Sequence, residues 1–369
     1  VPFPDIVMSL RFNRLLLLLS AGTFLLVSPA AHAAASFDCD KATSVTEKTI
    51  CADDKLSELD EKLSEAWENV PGISTDPIAM KSSQLKWLKL RNACGADTSC
   101  LTARYKERLA ALVNVQFPVG TDQAGNRMEA LIPKEESTDA DARGCTVDKR
   151  FCVRLYKPDN ASPLMQIDYR GANQSTRRFT LPDTEPDPDT GSDVDVILWP
   201  RLLQLANNNN TIIVGAMYNT FVGYSGGGGS ASELRLFMVT LNGNASDANE
   251  VLSVPINCGL AIRACFSDQD WQRRLGVCHD EYNFNTTLGL DRTVKSGFPR
   301  FVYQTRATSF PGKVSRYKDS LEMPPLRKQD LVVAVDPRCT YKRIFQFKSS
   351  SGNYTPDQSL PDCNDYTSP

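Results

Sequence analysis

Gly223-Tyr224-Ser225-Gly226-Gly227 has the Gly-x-Ser-x-Gly spacing that, in hydrolases, holds a nucleophilic serine on a sharp turn between a strand and a helix. Acyl transfer at Ser225 would also need a base, most often histidine. Beyond Ala33 the chain holds one histidine, His279. More small residues follow Ser225, then the strand-like Glu233–Val239, and no helix start is visible. The glycines therefore read as a hairpin loop, with a serine hydrolase as the third functional reading. They are no phosphate cradle either, because the lysine and the following helix are missing. The run from Asp183 to Asp195 is densely acidic. Asp187, Asp189, Asp193 and Asp195 are the carboxylates a Ca²⁺ ion would use, since calcium favours hard oxygen ligands. Its prolines and the missing distal glutamate depart from a calcium loop, so the default is a solvated acidic loop, with no metal and no cofactor assigned. His279-Asp280-Glu281 offers a metal or acid–base triplet by composition, and its place in a strand-rich stretch points to a structural role.

The thiols are the other reactive groups. The chain has 11 cysteines, all beyond residue 38. Met8 to Ala33 reads as an export signal: Arg11 and Arg14, an apolar run from Leu15 to Val27, and Ala31-His32-Ala33 as an A-x-A cleavage site. The apolar run is too short for an ordinary transmembrane helix of roughly 20 residues. The true start is expected at Met8, and residues 1–33 are set aside as signal peptide. The first cysteine, Cys39, follows Ser36-Phe37-Asp38, a poor lipobox, so no stable membrane anchor is expected. The mature protein is expected in the periplasm or outside the cell, where disulfides persist. Local spacing suggests Cys39–Cys51, Cys94–Cys100, Cys145–Cys152, Cys265–Cys278 and Cys339–Cys363, leaving Cys258 over. Sequence alone allows three connectivities for the first four. The formal charge of −3 argues against nucleic acid, which demands clustered Lys and Arg.

Two kinds of element must position these groups, giving a multidomain α plus all-β chain. Residues 34–116 have helical periodicity. Ser44-Val45-Thr46-Glu47 is a capping box. A helix after Asp53 and Asp54 puts Leu56, Leu59, Leu63, Ala66, Trp67 and Val70 on one face, and Pro71-Gly72 is expected to stop it. A third helix, from about Pro77 to Ala93, turns Met80, Leu85 and Leu88 inward, with Trp87 as a further candidate. Asp97 or Thr98 caps a fourth, with Leu101, Tyr105, Leu109 and Leu112 in its core stripe. Residues 117–144 read as linker, with a short strand near Met128 to Ile132. Residues 145–369 break into about a dozen short strands, a sandwich or an incomplete propeller.

The pattern Phe37-Asp38-Cys39, Glu47, Ile50-Cys51-Ala52-Asp53, Leu56, Leu59-Asp60, then Gln84, Trp87-Leu88, Arg91 and Cys94, then Cys100-Leu101, Tyr105, Arg108 and Leu112 resembles the N-terminal domain of the lysozyme inhibitor LprI family. The resemblance implies an envelope-located binding module whose family activity is inhibition of lysozyme. Asp38 to Glu68 holds ten acidic and four basic residues, and Lys81 to Arg108 holds seven basic and two acidic. Animal lysozymes are commonly basic, so Asp53, Asp54, Glu58, Glu61, Glu65 and Glu68 are candidate partner-binding residues. The alternative is a solvated helix face, with the first of them favourable near a helix N-terminus. Trp87 and Arg91 are candidates too. They serve either as an exposed interface anchor or as core, with Arg91 pairing a carboxylate such as Asp60. The expected function is a non-enzymatic envelope protein that binds, and by resemblance inhibits, lysozyme or another peptidoglycan-active glycosidase. The alternative is a periplasmic structural or interaction protein with no enzyme target.

Overall fold

The computed structural model describes residues 35–74, 77–134, 141–158, 161–171, 174–182, 194–206, 208, 210–242 and 248–369. The export signal expected at 1–33 lies outside them, as do Asp187, Asp189 and Asp193. Among the described residues no helix is long and apolar enough to cross a membrane.

Four helices open the chain: α1 (Val45–Ala52), α2 (Asp54–Ile73), α3 (Pro77–Asn92) and α4 (Thr98–Gln116). Ser44 and Glu47 form the reciprocal capping box of α1. Asp53 caps α2 by accepting from the N–H groups of Lys55 and Leu56, and Asp97 caps α4 by accepting from Cys100 N–H. The helix α2 runs through Pro71-Gly72 to Ile73, one turn beyond the expected stop. Its Val70 and Ile73 are buried, so tertiary packing outweighs the local breaker there. The helices close over Ile50, Leu56, Leu63, Val70, Trp87, Leu101, Tyr105 and Leu112. Leu85, expected inward, is instead 55 % exposed.

A twelve-stranded antiparallel sheet dominates the rest. Its short leading strands are β1 (Gly120–Thr121) and β2 (Arg127–Ala130). A second, five-stranded sheet interrupts the chain: β3 (Ile132–Pro133), β4 (Asp141–Cys145), β5 (Phe151–Tyr156), β6 (Leu164–Tyr169) and β7 (Ser175–Thr180). The large sheet resumes with β8 (Val194–Leu198), β9 (Arg201–Gln204), β10 (Thr211–Tyr224), β11 (Gly227–Thr240) and β12 (Ala248–Arg263). After α5 (Asp268–Arg273) it ends with β13 (His279–Leu290), β14 (Arg300–Phe310), β15 (Ala334–Asp336), β16 (Lys342–Lys348) and β17 (Asn353–Pro356), then α6 (Asn364–Thr367). The strand order is β1-β2-β9-β10-β11-β12-β13-β14-β16-β17, with β8 on β10 and β15 on β14.

Side-chain alternation sends the two faces of the large sheet into different cores. Phe117, Met128, Trp199, Leu234, Leu236, Phe301 and Tyr303 share one. On the opposite face, Val214, Ala216, Phe237 and Val239 pack against Val153, Leu155, Met165 and Ile167 of the five-stranded sheet. Of the two architectures expected, this face-to-face packing is a sandwich. The described residues of the expected linker, 117–134 and 141–144, are not free chain. They supply strands to both sheets, and Phe117 is buried with its ring 5.8 Å from Trp199, edge to face. The helical module is seated on the sheet at the same point. Arg201 Nε donates to the Phe117 carbonyl (2.7 Å), and Gln116 Nε2 donates to Asn257 Oδ1 (2.9 Å).

Candidate partner-binding surface

Asp60 and Arg91 meet at the centre of the module. Asp60 lies on the apolar stripe of α2, between Leu56 and Leu63, and is 4 % exposed. Tyr105 donates its hydroxyl to Asp60 Oδ1 (2.6 Å), and Arg91 Nη1 approaches the same oxygen at 3.5 Å. Ser36 donates both N–H and hydroxyl to Asp60 Oδ2 (3.0 and 2.5 Å). Burial, then the hydrogen bond to Asp60, push the Tyr105 hydroxyl well above its ordinary range, so it stays a donor. Trp87 stacks edge-on to Tyr105 at 5.4 Å and donates its indole N–H to the Arg104 carbonyl. Arg108 donates to Gln84 and Ser83 and lies over the Trp67 ring.

This placement corrects one reading. Trp87 and Arg91 are no exposed anchor; Trp87 is 6 % exposed and Arg91 is held against Asp60 and Tyr105. Sequence reasoning did pair Arg91 with Asp60 as its alternative. It missed Ser36 and Tyr105 as partners. The legible signal was an aspartate on an otherwise apolar stripe, which must find donors when buried.

The acidic candidates fall elsewhere. Asp54, Glu58, Glu61 and Glu65 are exposed and recur at steps of four, three and four along α2, so they form one stripe. The eleven helical steps from Asp54 to Glu65 span about 16 Å. Lys62 pairs with Glu58 at 2.7 Å and tempers the stripe. Asp53 is taken up by the helix cap, and the Glu68 side chain lies outside the described residues. On α3, Lys81, Lys86 and Lys89 are exposed, so the module presents an acidic helix and a basic one.

The catalytic and metal candidates do not assemble. Ser225 and Gly226 are the exposed two-residue tip of the β10–β11 hairpin, with Gly226 at φ +87°, a turn conformation suited to glycine. His279 does come close to this tip, but its Nε2 faces the Gly226 carbonyl at 3.1 Å rather than the serine hydroxyl. A carbonyl only accepts, so that nitrogen carries the proton. The His279-Asp280-Glu281 triplet splits across the sheet. His279 and Glu281 are exposed, while Asp280 is buried against Arg274 and Ser320. Asp195 is exposed on β8. No group of three or more His, Cys, Asp or Glu able to hold a metal occurs among the described residues.

The disulfides are Cys39–Cys51, Cys94–Cys100, Cys145–Cys152, Cys265–Cys278 and Cys339–Cys363, the same local pairs the spacing suggests. Cys258 is free and buried, and burial raises its thiol to about 11, which keeps it protonated and unreactive.

An 80-residue segment of the chain is 32 % identical to the proteins called lipoprotein LprI of Mycobacterium bovis and Mycobacterium tuberculosis. The segment is 21 % of this chain and spans 40 % of the length of those relatives. No family-wide sequence profile matches the chain. No solved structure matches it.

Proposed function

We propose that this is an exported, non-enzymatic envelope protein, periplasmic or secreted, whose helical module binds lysozyme or another peptidoglycan-active glycosidase and inhibits it. The observation that carries the reading is the exposed acidic stripe Asp54, Glu58, Glu61, Glu65 on a module with LprI-like sequence. A basic enzyme is drawn to such a stripe before contact, and the encounter rate falls as salt screens it. The buried Asp60–Arg91–Tyr105 cluster keeps the presenting helix rigid, so little ordering cost is left for binding. The first cysteine, Cys39, is bonded to Cys51 and so is not available for lipid attachment.

The test is lysozyme turnover of a cell-wall suspension with the purified protein added. Stoichiometric inhibition that weakens with salt is expected. Replacing Glu58 and Glu61 by lysine is expected to weaken it about tenfold or more, because like charges then face a basic partner. Turnover unchanged at large molar excess of the protein would refute the reading.

A second reading is an interaction protein with no enzyme target. The large β region favours it, since the similarity to LprI stops short of most of the chain. Capture of envelope components without any glycosidase, using the whole protein as bait, would select it.

A further inference from the structure

The segment joining β12 to β13 is closed by Cys265–Cys278 and carries α5. Between this loop and residues 320–330 lies a cavity of about 230 Å³. That is roughly seven waters' worth of liquid, enough for a small organic molecule. Four cations line it: Arg273, Arg274, Lys313 and Arg327. Leu321, Met323, Pro324, Pro325 and Leu326 supply an apolar wall.

Two carboxylates answer these four cations. Asp280 takes Arg274, in an ion pair where both side chains are 5 % exposed. Asp330 takes Lys313 at 2.7 Å. Among the described residues, no carboxylate lies within ion-pair distance of Arg273 or Arg327. Asp270, the acid nearest Arg273 in sequence, accepts instead from Ser267 Oγ and Phe266 N–H at the start of α5. Arg273 donates to the Leu321 and Met323 carbonyls through Nη2, which fixes the guanidinium at the cavity wall. Asp270 and Asp330 feel the charges of Arg273 and Arg327 only at longer range, without a direct ion pair, and two such guanidinium groups in one concave site make an anion receptor.

Trp271 is 57 % exposed on the same helix, outside the cavity lining and two residues before Arg273, a spacing that turns it to another side of α5. Its indole lies on Gly276. A Cβ at that glycine would sit 3.4–3.5 Å from three ring atoms, which places the glycine against the ring. A larger residue there would compete for the space, and the disulfide holds both residues within one closed loop.

We propose that this pocket binds a small organic anion, a carboxylate or a phosphate ester, with Arg273 and Arg327 pairing the charged group and the apolar wall of Leu321, Met323 and Leu326 receiving the body.

Trp271 is the exposed member of the four tryptophans and shares the disulfide-closed loop with Arg273, so its fluorescence reports a change in that loop on binding. The whole protein is titrated with N-acetylmuramic acid, with inorganic phosphate, and with neutral N-acetylglucosamine, and calorimetry is run in parallel. Saturable binding of at least one anion is expected, with the neutral sugar bound at least tenfold more weakly. Binding of the acid sugar alone assigns a carboxylate ligand, and binding of phosphate alone assigns a phosphate ester. Arg327→Gln is the chosen variant, because the side chain is exposed and Asp330 keeps both the N–H of residue 327 and its pair with Lys313. It is expected to weaken binding about tenfold or more, the loss of one charged hydrogen bond. Trp271→Phe is expected to remove the fluorescence change and keep binding in the calorimeter. Failure of both anions at millimolar concentration would overturn the proposal. So would equal binding of the neutral sugar, or binding unaltered by Arg327→Gln in protein with unchanged circular dichroism.

Discussion

Arg91 in the helical module and Arg201 in the sandwich are held in opposite ways. In the module, Arg91 faces the carboxylate of Asp60, with Tyr105 and Ser36 filling the remaining positions. In the sheet, Arg201 is 4 % exposed and donates to two backbone carbonyls, Phe117 and Pro200. Phe117 is the C-cap of α4, so the cation sits at the negative end of that helix. Burial without a carboxylate takes its guanidinium down to about 10. The difference follows from where each side chain sits. A four-helix module has little apolar area, so it depends on two disulfides and one ionic knot. The sandwich has long strands and two apolar cores, and its buried arginine serves as a clasp between regions rather than as the centre of one.

This contrast can be broken by substitution, the largest effect first. Asp60→Ala leaves Arg91 buried without its carboxylate and is expected to cost about 3–5 kcal/mol. Chemical denaturation followed by helical circular dichroism measures it, and the loss should appear in the module with the sheet signal retained. A cost below 1 kcal/mol would deny the knot its central place. Serine at both Cys339 and Cys363, whose separation is 24 residues, is expected to cost about 3 kcal/mol, against about 2 for Cys94 and Cys100, 6 apart. A reversed order in denaturation midpoints would mean that strain or residual structure, not chain entropy, sets their contribution. Arg201→Met keeps the volume and removes the clasp. About 1–2 kcal/mol is expected, and proteolysis near residues 117–120 should accelerate before global unfolding does.

The smallest effect is one of pH. Asp148 lies in the tight turn between β4 and β5, where Lys149 takes φ +58°. Partial burial pushes its carboxyl up. Hydrogen bonds from Arg150 N–H, the Thr146 hydroxyl and the Arg150 guanidinium outweigh this and bring it to about 2. The folded value is thus below the unfolded one of about 3.9. The turn's contribution is full above pH 4 and is lost as the pH falls toward 2. Faster amide exchange at Arg150 across that interval, with Asp148→Asn exchanging fast throughout, would confirm the sign. Because the pair is nearly half exposed, screening keeps the change in global stability small.

Much of the helical module was legible because its signals are local. Ser44 and Glu47, Asp53 and Asp97 are caps that act within a single turn, and the disulfides join cysteines close in sequence. The LprI-like residues prove to be largely the frame itself: caps, core and the Asp60 knot. A frame specifies a fold without specifying a partner, which is why the acidic stripe has to be argued separately from surface charge. The strands, too, were visible as apolar runs between turn residues, though not their partners.

From the sequence alone come the division into a stapled helical part and a β-rich part, the helix starts, and the short-range cysteine pairs, because each depends on residues a few positions apart. Only the tertiary structure decided that α2 continues past Pro71-Gly72, that Trp87 is core, that residues 117–134 and 141–144 are woven into both sheets, and that His279 spends its ring nitrogen on a carbonyl. It alone gathered Arg273 and Arg327 around one cavity. Those outcomes rest on contacts between residues tens to more than a hundred positions apart, where packing and desolvation override what any local pattern prefers.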